Sequence, residues 1–207
     1  MSLFKQPSEL VHKVDPSLDY YDTLGEGGYG IVYLVGMHAQ LYALKVAKSY
    51  DEDTPSLSRE FLILRKVEGI EGIPKALNFY PSAFREQVNG IKRLLDCYLM
   101  EYVPGKNVLL DEYPGKGFFE RLEDIGNQVA DRGCTLPSDL NVNVLIDNAK
   151  NPWVIDFMLS SQLASRKRLR KRNRNLVKKL EELVISMDSD KGNAWTRVQD
   201  ALLEESW

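Results

Sequence analysis

The sequence predicts an α+β protein with a strand-rich N-terminal half and a mainly helical C-terminal half. Apolar and polar residues alternate in "GIVYLVG" (30–36) and "LYALKVA" (41–47), and turn residues lie around them at "GEGG" and "GMHAQ", so segment 20–48 is expected to form three strands. Apolar residues recur at helical spacing in "GFFERLEDIGNQVADRG" (117–133), which ends at a glycine. The expected core residues of this helix are Phe118, Leu122, Ile125 and Val129.

The composition places the chain among globular proteins and excludes several functions. Of its 207 residues, 43% are hydrophobic and 28% are charged, and the net charge of −3 argues against a specific nucleic-acid binder. Two cysteines without short Cys/His spacing do not support a zinc site, and we expect a reduced, cytoplasmic protein without a signal peptide or membrane span. His12 and His38 are the only histidines and lie outside any cluster, which nearly excludes a Ser-His-Asp triad. Any chemistry must therefore depend on carboxylates, lysine and backbone amides.

A glycine-rich segment follows the first predicted strand. The run from Gly25 to Val32 has the pattern G-x-G-x-x-G-x-V, with glycines at 25, 27 and 30 and an additional one, Gly28. A dinucleotide-binding loop would need a helix directly after the glycines, whereas a strand follows here. A strand-loop-strand context suits a phosphate-covering loop, because glycine lets the backbone approach phosphates that a Cβ would strike. The alternative is a glycine-rich hairpin without a ligand.

A lysine in the third predicted strand is the next candidate. Lys45 comes fifteen residues after Gly30 within Ala43-Leu44-Lys45-Val46, and its apolar neighbours would make its burial costly without a charged partner. The next predicted helix, "SLSREFLILRKV" (56–67), supplies Glu60, so we expect a Lys45–Glu60 ion pair. In that pair Lys45 would bind α- and β-phosphate oxygens while Glu60 orients it. The apolar side of the helix is predicted to be Phe61, Leu62, Leu64 and Val67.

The order of glycine loop, lysine strand and glutamate helix resembles the protein-kinase superfamily. "GIPKALNFY" (72–80) is similar to the strand that follows the glutamate helix, and "CYLMEYVPGKNV" (97–108) is similar to a kinase hinge with Met100 as gatekeeper. The alternative for the second segment is an ordinary buried strand. The resemblance implies a bilobal protein-kinase-like fold, with a β-rich N-lobe (about 18–103), a shortened, mainly helical C-lobe (about 106–207), and ATP and Mg²⁺ as cofactors. The residues it implies for nucleotide binding are Gly25, Gly27, Gly28, Gly30, Val32, Ala43, Lys45, Glu60, Met100, Glu101 and Val103.

The C-terminal half resembles the metal-binding part of a kinase. "NVLIDNAKNPWVIDFML" (143–159) predicts two short strands around a turn at "DNAKN" and is similar to the run that ends at the D-F-G aspartate. Thirteen residues separate Asn143 from Asp156, as in typical kinases, and their hard oxygen atoms are what Mg²⁺ prefers. The third position of D-F-G is Met158, which removes a flexible glycine.

The catalytic base is predicted to lie in "TLPSDLNVNVLID" (135–147), where two registers compete. The pattern H-R-D-L-x-x-x-N places the base five residues before Asn143, at Ser138, as in the small YrbL-type proteins. A one-residue deletion places it instead at Asp139, as in Kdo-type lipopolysaccharide-core kinases. A serine hydroxyl is a poor base, so chemistry at Ser138 would be slow unless Asp139 reaches inward. Leu136 and Pro137 stand where the pattern has His and Arg.

A basic helix is predicted over 160–187, where a protein kinase would carry its peptide platform, and no A-P-E signature is present. The basic residues are Arg166, Lys167, Arg168, Arg170, Lys171, Arg172 and Arg174. They would form a solvated face, dock to an anionic membrane surface, or hold an acidic or phosphorylated partner. A last helix is predicted in 193–207, with Trp195, Val198 and Leu202 in the core.

Three functions remain open at this point. The first is an ATP-dependent phosphotransferase that transfers the γ-phosphate to a hydroxyl of a protein Ser/Thr or of a lipopolysaccharide-type sugar. The second is a nucleotide-binding pseudokinase that acts as a regulatory protein. The third is a membrane-surface adaptor.

Overall fold

The computed structural model of the protein describes residues 6–48, 56–88, 91–110, 113–157 and 165–189. These residues form an α+β protein, with a five-stranded antiparallel sheet first and then helices and a small second sheet. They divide into two compact units. The first unit consists of the described parts of Met1–Leu62 and Lys75–Tyr102, and the second consists of the described parts of Ile63–Pro74 and Val103–Trp207. Met158 and the helix predicted over 193–207 lie outside the described residues.

The first unit is built on the five-stranded sheet. Its strands are β1 (Asp19–Glu26), β2 (Gly30–Met37), β3 (Gln40–Ala47), β4 (Ala76–Val88) and β5 (Ile91–Glu101). They lie in the order β1-β2-β3-β5-β4, and every neighbouring pair is antiparallel. The three strands predicted in segment 20–48 are confirmed, as is the strand predicted in 72–80.

A two-residue turn joins β2 to β3. Met37 pairs with Gln40, and the two residues between them, His38 and Ala39, have φ values of 50° and 63°. Positive φ at both central residues is the type I′ geometry, whose twist matches that of the flanking strands. Neither residue is the Asn or Gly that this turn type prefers.

A short helix, α1 (Pro7–Val14), precedes the sheet and was not predicted. Its sequence has a proline at the start, Glu9 in the first turn and Lys13 in the last turn, and the structure buries Leu10 and Val11. The segment after the helix is tied to β4, because the Tyr80 hydroxyl donates a 2.9 Å hydrogen bond to Asp15. Hydrogen bonds from the Ser17 hydroxyl and backbone hold the pKa of Asp15 below its usual range.

The predicted glutamate helix is present as α2 (Leu57–Lys66). Leu64 and Val67 are buried as predicted, but the prediction is wrong for Leu62, which is 64% exposed. At 3.6 residues per turn the buried stripe runs through Leu57, Glu60 and Leu64, and Leu62 falls outside it.

The described part of the second unit contains two α-helices, a short 3₁₀ helix (Val108–Leu110) and a three-stranded antiparallel sheet. The helices are α3 (Lys116–Asp131) and α4 (Arg166–Ser189), and the strands are β6 (Gly105–Asn107), β7 (Val144–Asp147) and β8 (Pro152–Val154), in the order β6-β7-β8. The two strands predicted around "DNAKN" are therefore confirmed. Gly133, with a φ of 71°, ends the last turn of α3, where the next backbone N–H, that of Cys134, donates to the Val129 carbonyl.

Packing of α3 against α4 forms the core of this unit. The four residues predicted for the core side of α3 are all buried. The buried side of α4 is formed by Leu169, Asn173, Val177, Leu180 and Val184. Gly126 lets the helices approach closely, because a Cβ there would lie 3.2 Å from the Cβ of Asn173.

Each unit contains one of the two cysteines, Cys97 in β5 and Cys134 after α3. Both are fully buried and free, and burial raises the pKa of both thiols. Within the ranges described above, no helix has the length and apolar character that crossing a membrane requires.

Candidate functional site

The predicted ion pair between Lys45 and Glu60 is present in the first unit. The Lys45 ammonium lies 2.9 Å from Oε2 and 3.1 Å from Oε1 of Glu60, and the two side chains are only 5% and 0% exposed. The pair joins the middle of β3 to α2. Removing a buried charge's partner typically costs about 3–5 kcal/mol, so each residue depends on the other.

Four residues predicted to bind nucleotide share one face of the sheet. In the register, Val32 pairs with Lys45, and Ala43, two residues before Lys45, pairs with Met100. Directly paired residues project from the same face of a sheet, and so do residues two apart on a strand. The same face carries α2, whose Phe61 ring lies 6.0 Å from that of Tyr98, the β5 partner of Lys45.

The glycines at the end of β1, in the following turn and at the start of β2 have two different environments. A Cβ added at Gly25, Gly27 or Gly28 would meet nothing within 4 Å, and none of the three has a left-handed φ. At Gly30 a Cβ would lie 2.7 Å from the Val46 carbonyl oxygen. The fold therefore requires glycine at 30, whereas nothing in the described chain explains the other three.

The predicted hinge begins at the end of β5. Met100 is buried next to Ala43, and Glu101 is exposed. The Glu101 N–H donates to the Lys75 carbonyl at 2.9 Å, and the Lys75 N–H donates to the Glu101 carboxylate at 3.1 Å. Nucleotide binding is predicted along the Glu101–Val103 backbone, where the Glu101 N–H already has this hydrogen-bond partner within the fold. Val103, the other end of the predicted contact, is buried in the second unit.

Two buried or half-buried asparagines hold the predicted catalytic loop in the second unit. The Asn173 side chain accepts a 3.0 Å hydrogen bond from the Leu136 N–H and donates to the Gly126 carbonyl at 2.6 Å. Asn107 in β6 donates to the carbonyls of Asn141 and Val142 at 3.1 and 3.0 Å. The loop is therefore fixed at both ends by carboxamide groups from other elements.

The candidate bases Ser138 and Asp139 differ in their environments. Ser138 is exposed, whereas Asp139 is half-buried and its Oδ1 atom is buried. Turn hydrogen bonds begin at this point, since the Val142 N–H donates to the Asp139 carbonyl at 3.2 Å. Leu136 and Pro137, in the places of the usual His and Arg, are both buried.

The hairpin of β7 and β8 brings Asn143 and Asp156 to the same end. Val144 pairs with Val154, and the Ile155 N–H donates to the Asn143 carbonyl at 2.9 Å, so Asp156 follows directly after the residue opposite Asn143. Asp156 has a φ of 57°, a left-handed conformation that a non-glycine residue adopts at a cost of order 1–3 kcal/mol. The Nδ2 atom of Asn143 is buried without a hydrogen-bond partner in the described part of the chain. Such features concentrate at functional sites.

The turn of this hairpin is stabilised by Asp147. Its carboxylate accepts hydrogen bonds from the backbones of Ala149 and Asn151 at 2.9 and 2.8 Å, and from the Trp153 indole at 3.1 Å. Partial burial acts to raise the pKa of Asp147, but the hydrogen bonds from Asn151, Trp153 and Ala149 outweigh it and lower the pKa. Asp147 thereby supports the hairpin that carries Asn143 and Asp156.

Asn107, Asn173 and Asp147 were missed by the sequence analysis. For Asn173 a weak signal existed, because asparagine is a poor helix former and interrupts a run of basic residues. Asn107 and Asp147 lie in ordinary turn-like sequences and carried no signal of their own.

The two predicted metal ligands, Asn143 and Asp156, suit Mg²⁺ better than a metal ion that takes all its ligands from the protein. Among residues that the structure describes, no cluster of three His, Cys, Asp or Glu side chains could hold a metal ion. Asn143 and Asp156 offer hard oxygen atoms, and Mg²⁺ commonly binds through one or two such groups with water and substrate phosphates as its other ligands. No family model and no curated protein matches this chain, so its function has to be inferred from these residues.

Proposed function

We propose that this protein is an ATP-dependent phosphotransferase with a bilobal, protein-kinase-like fold. The observation that carries the proposal is the buried Lys45–Glu60 pair, which lies on the sheet face shared by Val32, Ala43 and Met100. A buried ion pair adds little stability compared with well-packed apolar residues, so its presence here favours a role in binding charge. A lysine that follows a glycine-rich strand-loop-strand segment is well suited to bind the triphosphate of ATP.

The loop glycines support the same ligand. Gly25, Gly27 and Gly28 have open space where a Cβ would be, and the fold gives no reason for glycine at these positions. Close approach of the backbone to phosphate oxygens is such a reason.

In the proposed reaction, an acceptor hydroxyl oxygen attacks the γ-phosphorus of ATP. The bond from that phosphorus to the β–γ bridging oxygen breaks, ADP leaves, and the hydroxyl proton passes to a carboxylate. We assign that carboxylate to Asp139 in preference to Ser138, because a carboxylate is the better base and Ser138 is exposed to solvent. Bound Mg²⁺ would neutralise charge that develops on the phosphate oxygens, with Asn143 and Asp156 as its protein ligands.

The acceptor is proposed to be a hydroxyl of a protein Ser/Thr or of a lipopolysaccharide-type sugar. The Asp139 assignment corresponds to the register of the lipopolysaccharide-core kinases, which favours the sugar. The missing A-P-E signature is a second reason to favour it over a conventional peptide substrate.

A nucleotide-binding pseudokinase is the second candidate. The buried Leu136 and Pro137 favour it, because the positions that carry His and Arg in active kinases serve packing here. Under this alternative ATP would bind without efficient phosphoryl transfer.

The two candidates are separated by measuring Mg²⁺-dependent ATP binding by calorimetry and phosphoryl transfer by ADP release. We expect Asp139→Asn to reduce kcat about 10²- to 10⁴-fold, and Asp156→Asn to reduce Mg²⁺-dependent activity at least as much. Ser138→Ala is the matched control and should retain activity.

Lys45→Ala alone is a poor test, because it leaves the Glu60 carboxylate buried without its cation and destabilises the fold. Unmeasurable turnover in the wild type with ATP still bound would favour the pseudokinase. No binding of ATP by the folded wild type would contradict both candidates.

A further inference from the structure

The outward side of α4 is a strip of positive charge, which we call the cationic face. It consists of Lys167, Arg168, Lys171, Arg172, Lys178 and Lys179. All six side chains are exposed and lie on the side of the helix opposite Leu169, Asn173 and Val177. From the first to the last residue the strip is about 18 Å long, at 1.5 Å per residue.

Two other basic residues of the helix, Arg170 and Arg174, have a different role. Arg170 donates three hydrogen bonds to the Asp131 carboxylate, at 2.6, 2.8 and 3.1 Å, and Arg174 donates to Glu123 at 2.7 Å. Both carboxylates belong to α3, so these two arginines fasten α4 to its neighbour. Within the cationic face, the only salt bridge to a described residue is the one from Lys178 to Glu182, at 3.7 Å.

The cationic face is unlike an ordinary solvated helix surface. From 166 to 180 the helix has no acidic residue at all. Lys167 and Lys171, like Arg168 and Arg172, are four residues apart, a spacing at which like charges repel and weaken the helix. A helix face that only contacts solvent usually carries acidic as well as basic residues, as α3 does. The unbroken positive charge of the cationic face therefore indicates an anionic partner.

We propose that the cationic face docks to the surface of an anionic lipid bilayer. A bilayer surface attracts each nearby Lys or Arg without requiring a particular side-chain geometry, which suits a straight row of mostly lysines. Specific protein interfaces are depleted in lysine, and single-stranded nucleic acids need aromatic side chains for base stacking, which this face lacks. The face also has no large apolar side chain to insert, so docking is superficial, reversible and sensitive to salt.

The test is co-sedimentation of the full chain with vesicles of phosphatidylcholine and phosphatidylserine in equal parts. We expect binding at low salt, loss of binding at high salt, and none to vesicles of phosphatidylcholine alone. Replacing Lys167, Arg168, Lys171 and Arg172 by Gln should reduce the partition coefficient at least ~100-fold. These side chains are exposed, so thermal unfolding should be unchanged or slightly improved by the loss of repulsion.

A matched control variant removes two lysines and two arginines elsewhere, namely Lys13, Arg59, Arg65 and Lys116, each replaced by Gln. It has the same net charge as the first variant and should bind vesicles nearly as well as the wild type. Absence of wild-type binding, or an equal loss in both variants, would overturn the proposal. So would tighter binding to single-stranded RNA or polyglutamate than to vesicles at equal negative-charge concentration. Neither variant alters a residue proposed for phosphoryl transfer, so this docking and that activity can fail independently.

Discussion

Two glycines near the turn between β1 and β2 differ in whether the fold itself requires them. Gly30 faces the Val46 carbonyl oxygen at a distance that no Cβ tolerates, whereas Gly27 faces open space. Strand packing explains the first, and under the proposed function a ligand that approaches the backbone would explain the second. A single methyl group at each position can separate these two explanations.

We predict that Gly27→Ala lowers affinity for ATP at least about 10-fold with a stability change below about 1 kcal/mol, since its methyl group collides only with the ligand. Gly30→Ala is expected to destabilise the protein by about 1–3 kcal/mol through overpacking. Urea unfolding and titration calorimetry measure the two effects. Unchanged ATP affinity in Gly27→Ala would show that the loop does not cover phosphates.

At the scale of elements, the β2–β3 turn holds two residues in a left-handed backbone conformation that other residue types adopt more readily. His38 and Ala39 both adopt left-handed backbone angles and both are exposed. Asn-Gly is the preferred pair for this turn type, because both residues accept positive φ readily.

We predict that His38→Asn with Ala39→Gly stabilises the protein by about 1 kcal/mol, measured by urea unfolding. Gln40→Gly is the opposing control: it places glycine at the first residue of β3, where glycine costs conformational entropy without relieving either left-handed residue, and it should destabilise the protein by up to a similar amount. If the Asn-Gly variant were no more stable than the wild type, the turn would not be a source of strain.

Most elements could be predicted from the sequence because their signals are local. Alternation and turn residues identified β1 to β3, and the helical spacing of apolar residues identified α2 and α3. The Lys45–Glu60 pair could also be predicted, since a lysine in an apolar strand needs a nearby carboxylate. The glycine pattern did not reveal which glycines serve packing, because that depends on distances between strands.

Other features could not be predicted because they depend on partners distant in the chain. Asn173 lies 37 residues from Leu136 and 47 from Gly126, yet it bonds to both. The pairing of Glu101 with Lys75 likewise joins strands that only the folded sheet brings together. Exposure of Leu62 follows from where α2 packs, which a helical period alone does not specify.

At the scale of the molecule, the first unit contains two tyrosines that make it sensitive to high pH. Burial raises the pKa of Tyr33 to about 12, and burial and the hydrogen bond to Asp15 raise the pKa of Tyr80 to about 12. In the unfolded chain a tyrosine ionises near pH 10. Between about pH 10 and 12 the native state therefore binds more protons than the unfolded state, and stability must fall with pH.

We predict that the free energy of unfolding declines between about pH 10 and 12, by on the order of 2–3 kcal/mol for each tyrosine, in addition to the decline that the two buried thiols begin near pH 8.5, about the pKa of cysteine in the unfolded chain. Urea unfolding over this pH range measures the decline. Tyr33→Phe and Tyr80→Phe should each make it shallower, whereas the same change at the exposed Tyr21 should not. An unaltered decline in both Tyr33→Phe and Tyr80→Phe would contradict this origin.

Because each unit buries one free thiol, the rate at which that thiol reacts with a reagent measures how often the unit opens. A thiol reagent can reach Cys97 or Cys134 only when the surrounding structure opens, because both side chains are fully inaccessible. With Cys134→Ala the labelling rate reports openings around Cys97, and with Cys97→Ala it reports openings around Cys134. Equal rates that respond together to urea would mean that the units open as one cooperative body. Rates that diverge would mean that one unit exchanges with solvent while the other stays closed, and labelling with and without ATP would test whether the proposed nucleotide slows either rate.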